Sequence, residues 1–234
     1  LNGLLQTLGN IESVDRLEIH GPKGSKEFVH HTIKSSIFHP TIPIDVIEHD
    51  PEEGELKEIL STSSYTMYCA KLNHSVPCIG YRFKETDKRN IDKGQAAAVG
   101  LSQSPLLSRA KMNLPIELEH RTIQPDEITY VKQGMILSLI FDTRPCQGVD
   151  LLADAADHLV MEATYMQSHA DKAEEYEHMA ARETAEIARA NGVKHLFITH
   201  FSQRYKDTKD IEAEAREVFE NTTSTYDLMS VNVK

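Results

Sequence analysis

An α/β sandwich is the fold this sequence predicts, and three patterns predict it. Short β-branched runs alternate with helical stretches along the second half of the chain, and the first half adds hairpin-like strand pairs. At 234 residues, with 40% hydrophobic and 26% charged side chains, the chain can bury one substantial core. Several polar residues also stand directly after buried strands, where α/β sheets usually hold their sites.

Composition narrows the function classes. No apolar run approaches the roughly 20 residues that span a bilayer, and no signal-peptide pattern is present, so a cytoplasmic chain with no membrane partner is expected. Cys69, Cys78 and Cys146 are an odd set without paired spacing, which suits a reduced interior. A formal net charge of −11 argues against indiscriminate coating of nucleic acid, DNA included. A local phosphate-binding surface remains compatible with it.

The chain opens on a helical segment with Leu1, Leu4, Leu5 and Leu8 on one face. A chain that begins inside a core helix is expected to have lost what came before. Arg16 to His20 reads as a strand, turned by Gly21-Pro22-Lys23-Gly24 into a helix running to about Ser35. His30 and His31 point to different faces of that helix and are expected at the surface. Ile42 to Glu48 alternates like a half-buried strand, and further strands follow around Leu56 to Leu60 and Tyr65 to Leu72. His74 sits in the next connection, before a strand that ends in Tyr81-Arg82-Phe83.

Residues 84–134 differ in texture. A short helix over Asp92 to Val99 is broken by Gly100 to Pro105, and Pro115 and Pro125 punctuate the rest. Eight Lys and Arg face seven Asp and Glu, so the segment is near neutral in an acidic chain. It reads either as a long connection or as an arm that touches an anionic substrate.

Met135 to Phe141 is a continuous apolar strand running into Asp142, a carboxylate that needs a hydrogen bond, an ion pair or a metal there. Asp157 to Ala163 is another strand, carrying Glu162 near its end. The longest helix is expected over about Ala170 to Ala190, with His178 inside it. Asn191-Gly192 stops that helix, and the strand from Val193 to Ile198 delivers His200. A helix from about Lys209 to Phe219 and a strand near Tyr226 to Val233 close a chain without internal repeats.

His74, Asp142 and His200 thus stand at the ends of three separate strands. Two imidazoles and a carboxylate suit zinc or manganese, and a carboxylate can bridge two cations. Glu162 and His178 form a second pair, since a histidine held by a carboxylate is a standard proton donor or phosphate-orienting group.

Three stretches carry a family resemblance: Asp142-Thr143-Arg144-Pro145-Cys146, Glu162-Ala163-Thr164-Tyr165, and Thr199-His200-Phe201-Ser202-Gln203-Arg204-Tyr205. Together with His20 to Gly24, His74 through Arg82, and Tyr226-Asp227-Leu228, they resemble, in order, the motifs of ribonuclease Z. This is the tRNA 3′-processing endonuclease family of the metallo-β-lactamase superfamily. The resemblance implies a four-layer αβ/βα sandwich holding two zinc ions, with manganese as a substitute. It implies that His74 binds one zinc, Asp142 bridges both and His200 binds the other. Glu162 and His178 would assist proton transfer to the leaving group while a metal-activated hydroxide attacks the phosphodiester. Residues 84–134 would be the arm that grips precursor tRNA, with Lys88, Arg89, Arg109 and Lys111 as phosphate contacts alongside Arg204. A homodimer is implied too.

The sequence departs from the family in places. The H-x-H-x-D-H motif is absent, and truncation before Leu1 is the expected reason. Ile140-Phe141 replaces Ser-Gly before the Asp-Thr-Arg, Met161 replaces a common His, and Met179-Ala180 replaces Ser-Thr after His178. Ser104-Pro105-Leu106 stands where short-form members carry Gly-Pro-Leu. Two other readings remain at this point: a hydrolase of small phosphodiesters or sulfate esters on the same fold, and a metal-free RNA-binding remnant.

Overall fold

The structure, a computed structural model, describes residues 1–9, 11, 14–37 and 41–232. The strands are β1 (Leu17–Pro22), β2 (Ile44–His49), β3 (Lys57–Ser61), β4 (Tyr65–Lys71), β5 (Ile79–Glu85), β6 (Lys88–Ile91), β7 (Ile116–Leu118), β8 (Arg121–Ile123), β9 (Thr129–Lys132), β10 (Ile136–Ile140), β11 (His158–Glu162), β12 (His195–Thr199) and β13 (Thr222–Ser224). The helices are α1 (Asn2–Gly9), α2 (Ser25–Lys34), α3 (Lys93–Ala98), α4 (Leu107–Lys111), α5 (Pro125–Ile128), α6 (Gln147–Ala153), α7 (Ala170–Glu175), α8 (Ala181–Ala190) and α9 (Lys209–Val218). They divide into two compact units, one of Leu1–Ser61, Met67–Phe83 and Ile136–Lys234, the other of Thr62–Thr66 and Lys84–Met135.

A sheet in the order β13-β12-β11-β10-β5-β4-β3 organises the first unit, and β1 and β2 make a parallel pair. From β10 to β13 the strands run parallel. On one face Ile140, Leu159, Met161, Leu196 and Ile198 are fully buried, in one core with Ala181, Ala185 and Ala188 of α8 and Ile211 and Ala215 of α9. Alanines let the helix backbones approach the sheet, and each large apolar side chain buried contributes roughly 1.5–3 kcal/mol. Register then sets the site. Ile140 pairs with Met161 and Met161 with Ile198, so the strand ends are level. Glu162 follows one residue beyond that level, and Asp142 and His200 two.

Three expectations are corrected. The single helix over residues 170–190 is two, because Tyr176–Ala180 leaves helical geometry and Glu177 turns left-handed at φ 59°. Its cause is long-range: the buried Glu162 carboxylate takes the Met179 N–H at 3.0 Å, and Tyr165 exchanges backbone hydrogen bonds with Met179 and Ala181. His178 therefore lies in the break, not in a helix. The closing strand is Thr222–Ser224, earlier than expected; Glu212 fixes Ser224 by accepting from its backbone N–H (2.9 Å) and its hydroxyl (2.5 Å). Tyr226 and Leu228 are exposed, and Val233 lies outside the described residues. In α1 only Leu5 is buried, while Leu4, and Leu1 just before the helix, stay exposed.

The second unit has its own core of Ala96, Leu101, Ala110, Ile116, Ile123 and Ile128. Asp92 caps α3 by accepting from Gly94 N–H and Gln95 N–H at 2.9 and 3.0 Å. Pro125 starts α5, and Glu127 accepts from Gln124 N–H at 2.7 Å. Gly134 is required by close backbone approach, since a Cβ there would meet the Glu85 carbonyl oxygen at 1.9 Å.

Candidate active site

Asp142 and His200 leave their strands in the left-handed region, at φ 50° and 59°. Such a conformation is unfavourable for residues other than glycine and concentrates at functional sites. It is held in place here by the loops around it. Asn73 N–H donates to Thr143 Oγ1 (3.0 Å) and Arg144 N–H to the Asn73 carbonyl (2.9 Å), tying the His74 loop to the Asp142 loop. Arg144 in turn forks onto Glu183 of α8 at 2.9 and 3.0 Å, and donates to the His178 carbonyl. The bidentate geometry makes this a rigid clamp.

Glu162 is fully buried. Thr143 N–H donates to its Oε1 at 2.6 Å; Met179 N–H and the Thr164 hydroxyl donate to Oε2 at 3.0 and 2.9 Å. His178 Nδ1 completes the set at 3.1 Å. The hydrogen bond to Glu162 raises the His178 pKa above the ordinary histidine value; burial opposes this, and the charges of Glu162 and Asp142 add to it. With Nδ1 spent on Glu162, Nε2 is the nitrogen left for chemistry.

Asp142, His178 and His200 each offer an atom within 4.8 Å of the others, and this group can hold a metal ion. A proton count at His200 supports the fit. The Thr164 hydroxyl has one proton, which goes to Glu162, so at 3.0 Å it accepts from His200 Nδ1–H. In neutral His200 the lone pair of Nε2 then faces Asp142 Oδ1 at 3.2 Å. Two acceptors at that distance call for a cation, either a proton or a metal. Burial first, then the charges of Asp142 and Glu162, pushes the Cys78 pKa up to about 11, which disfavours its thiolate.

The grouping cuts across the expected division of labour. His178, expected beside the metals, is in the metal-capable group; His74, expected as a ligand, is outside it, its ring 5.5 Å from that of His178. Arg204 lies over the Tyr165 ring at 5.0 Å and faces solvent. In the second unit, Arg89 is committed to Asp126 and Thr129 and is largely covered, and Arg109 donates to the Pro115 carbonyl. Lys88 and Lys111 are exposed, without an ion-pair partner among the described residues. Sequence reasoning gave no role to Thr164, Glu177 or Glu183, whose partners His200, His74 and Arg144 are far away along the chain. A hollow of about 340 Å³ adjoins these loops, lined in part by Lys71, Leu72, Asn73, Pro145 and Cys146.

Solved structures identify the architecture as the metallo-β-lactamase fold. The chain matches human tRNase Z, short form, with a TM-score of 0.66 at 20% identity, over 100% of this chain and 74% of that one. It matches the metallo-β-lactamase fold protein YhfI of Bacillus subtilis with a TM-score of 0.58 at 16% identity, over 95% and 67%. Zn(2+)-bound PqqB of Methylobacterium extorquens gives 0.56 at 9% identity, over 100% and 69%. No family model matches the chain. In sequence it is 35% identical to the ribonuclease Z of Methanothermobacter thermautotrophicus over 233 residues, 99% of this chain and 74% of that protein. It is 35% identical to that of Streptococcus gordonii over 229 residues, 96% and 73%. The chain belongs to the ribonuclease Z family.

Proposed function

We propose that the protein is a zinc-dependent endoribonuclease that removes the 3′ trailer from precursor tRNA. The observation that carries this reading is the meeting of Asp142, His178 and His200 beside the saturated, buried Glu162, in a ribonuclease Z family chain. His74, Asp142 and His200 would hold two zinc ions. Bound zinc supplies a Lewis acid for the phosphodiester and lowers the pKa of water. His178, whose pKa the Glu162 hydrogen bond raises, would give its Nε2 proton to the departing 3′ oxygen as the phosphorus–oxygen bond breaks and a hydroxide takes its place on phosphorus. Arg204 faces solvent beside this group and would meet a substrate phosphate. Lys88, Arg109 and Lys111, with Arg89 bound more tightly into its own unit, would follow the RNA backbone. The family resemblance also carries a homodimer into this reading.

The test compares two substrates with the full-length protein. Precursor tRNA with a short trailer should be cut once, and a chelator should abolish the cut. Deleting roughly residues 87–113 should weaken that cut while sparing hydrolysis of bis-p-nitrophenyl phosphate. Hydrolysis of the small ester with no cut in precursor tRNA would instead favour a small-molecule hydrolase.

A further inference from the structure

Glu177 stands in the break between α7 and α8 with φ 59°, a conformation that favours glycine. A glutamate held there against its own preference invites a functional explanation. Its Oε2 is buried and accepts no hydrogen bond; His74 Nδ1 is buried and likewise unpartnered. These two atoms lie 3.4 Å apart, an ion-pair distance at the long end of hydrogen-bond range. Buried polar atoms without partners are rare, and two facing each other are rarer still.

The surroundings fix where the pair can act. The His74 loop is pinned at Asn73 on both its backbone N–H and its carbonyl. The rings of His74, His178 and His200 form a file, with centroids 5.5 and 5.1 Å apart. A turn alone would be served as well or better by glycine, so the carboxylate is what the strain retains.

We infer that Glu177 is a positioning residue for His74: its carboxylate takes Nδ1–H and leaves Nε2 free to face the metal-capable group. A carboxylate behind a ligating imidazole fixes its tautomer and raises its basicity. This rests on the proposed metal centre and adds to it a residue outside the set that sequence or family motifs pointed to. Because glycine suits the backbone better, removing the carboxylate should act in opposite directions on folding and on metal binding.

The experiment titrates zinc into wild type, Glu177→Gly and Glu177→Gln, with thermal unfolding of each protein measured metal-free. Glu177→Gly should melt at the same temperature or higher, yet bind zinc about 10–100-fold more weakly. Glu177→Gln, whose amide oxygen can still accept from Nδ1–H, should lose less. Nitrogen NMR of the metal-free protein should find the neutral His74 proton on Nδ1 in wild type, with that preference lost in Glu177→Gly. Equal zinc affinity in wild type and Glu177→Gly, or a wild-type His74 proton on Nε2, would overturn the inference alone. Absence of zinc binding by wild type would remove the metal centre itself, and the inference with it.

Discussion

Glu162 and His178 form one imidazole–carboxylate pair; Glu177 and His74 form another, with the two rings 5.5 Å apart. The first carboxylate is fully buried and collects two backbone N–H groups, a hydroxyl and an imidazole. The second is partly exposed, sits on a strained residue, and leaves its buried oxygen unpartnered. A saturated pair is structure as much as chemistry: it shapes the fold whether or not a metal is bound. An unsaturated pair has interaction capacity left over, and the place to look for its use is in binding.

The largest effect that would sharpen this contrast is on stability. Glu162→Ala leaves the Thr143 and Met179 N–H groups buried without an acceptor and removes the anchor of the break after α7. It should destabilise the metal-free protein by about 3–5 kcal/mol in denaturant titration. A loss under 1 kcal/mol would show that the pair is not a structural element.

A smaller, pH-dependent effect follows from the raised His178 pKa. Because the folded value lies above the ordinary 6.5, protonation of His178 stabilises the fold fully below that pH. That contribution fades as pH rises through the folded value. The stability difference between wild type and His178→Gln, measured metal-free, should therefore be greatest in mild acid and shrink towards alkaline pH. The subtraction cancels the other histidines. A difference that grows with pH would mean the Glu162 contact favours the neutral ring.

The contrast between the pairs also marks what the sequence makes legible. β10, β11 and β12 are mostly apolar, so Asp142, Glu162 and His200 are recognisable as polar residues where buried strands end. The break at Tyr176–Ala180 is not, because the Ala- and Glu-rich run from Ala170 to Ala190 keeps a helical pattern throughout. What breaks it is a carboxylate at Glu162, reached only once the chain has folded back. Thr164 is hidden for the same reason, since its role depends on His200, 36 residues on. At the end of the chain Thr222 to Ser224 has little apolar signal; pairing with β12 makes it a strand.

The most direct test of the account measures zinc content and single-turnover cleavage of precursor tRNA on the same preparations of His178→Ala and His200→Ala. Both residues belong to the metal-capable group, but only His178 spends its other nitrogen on Glu162. His200→Ala should lose zinc and activity together. His178→Ala should keep its zinc and its tRNA affinity while turnover falls by about 10²–10⁴, the usual contribution of a positioned proton donor. Release of zinc by His178→Ala to the same extent as by His200→Ala would make His178 a ligand and contradict the proton-donor role.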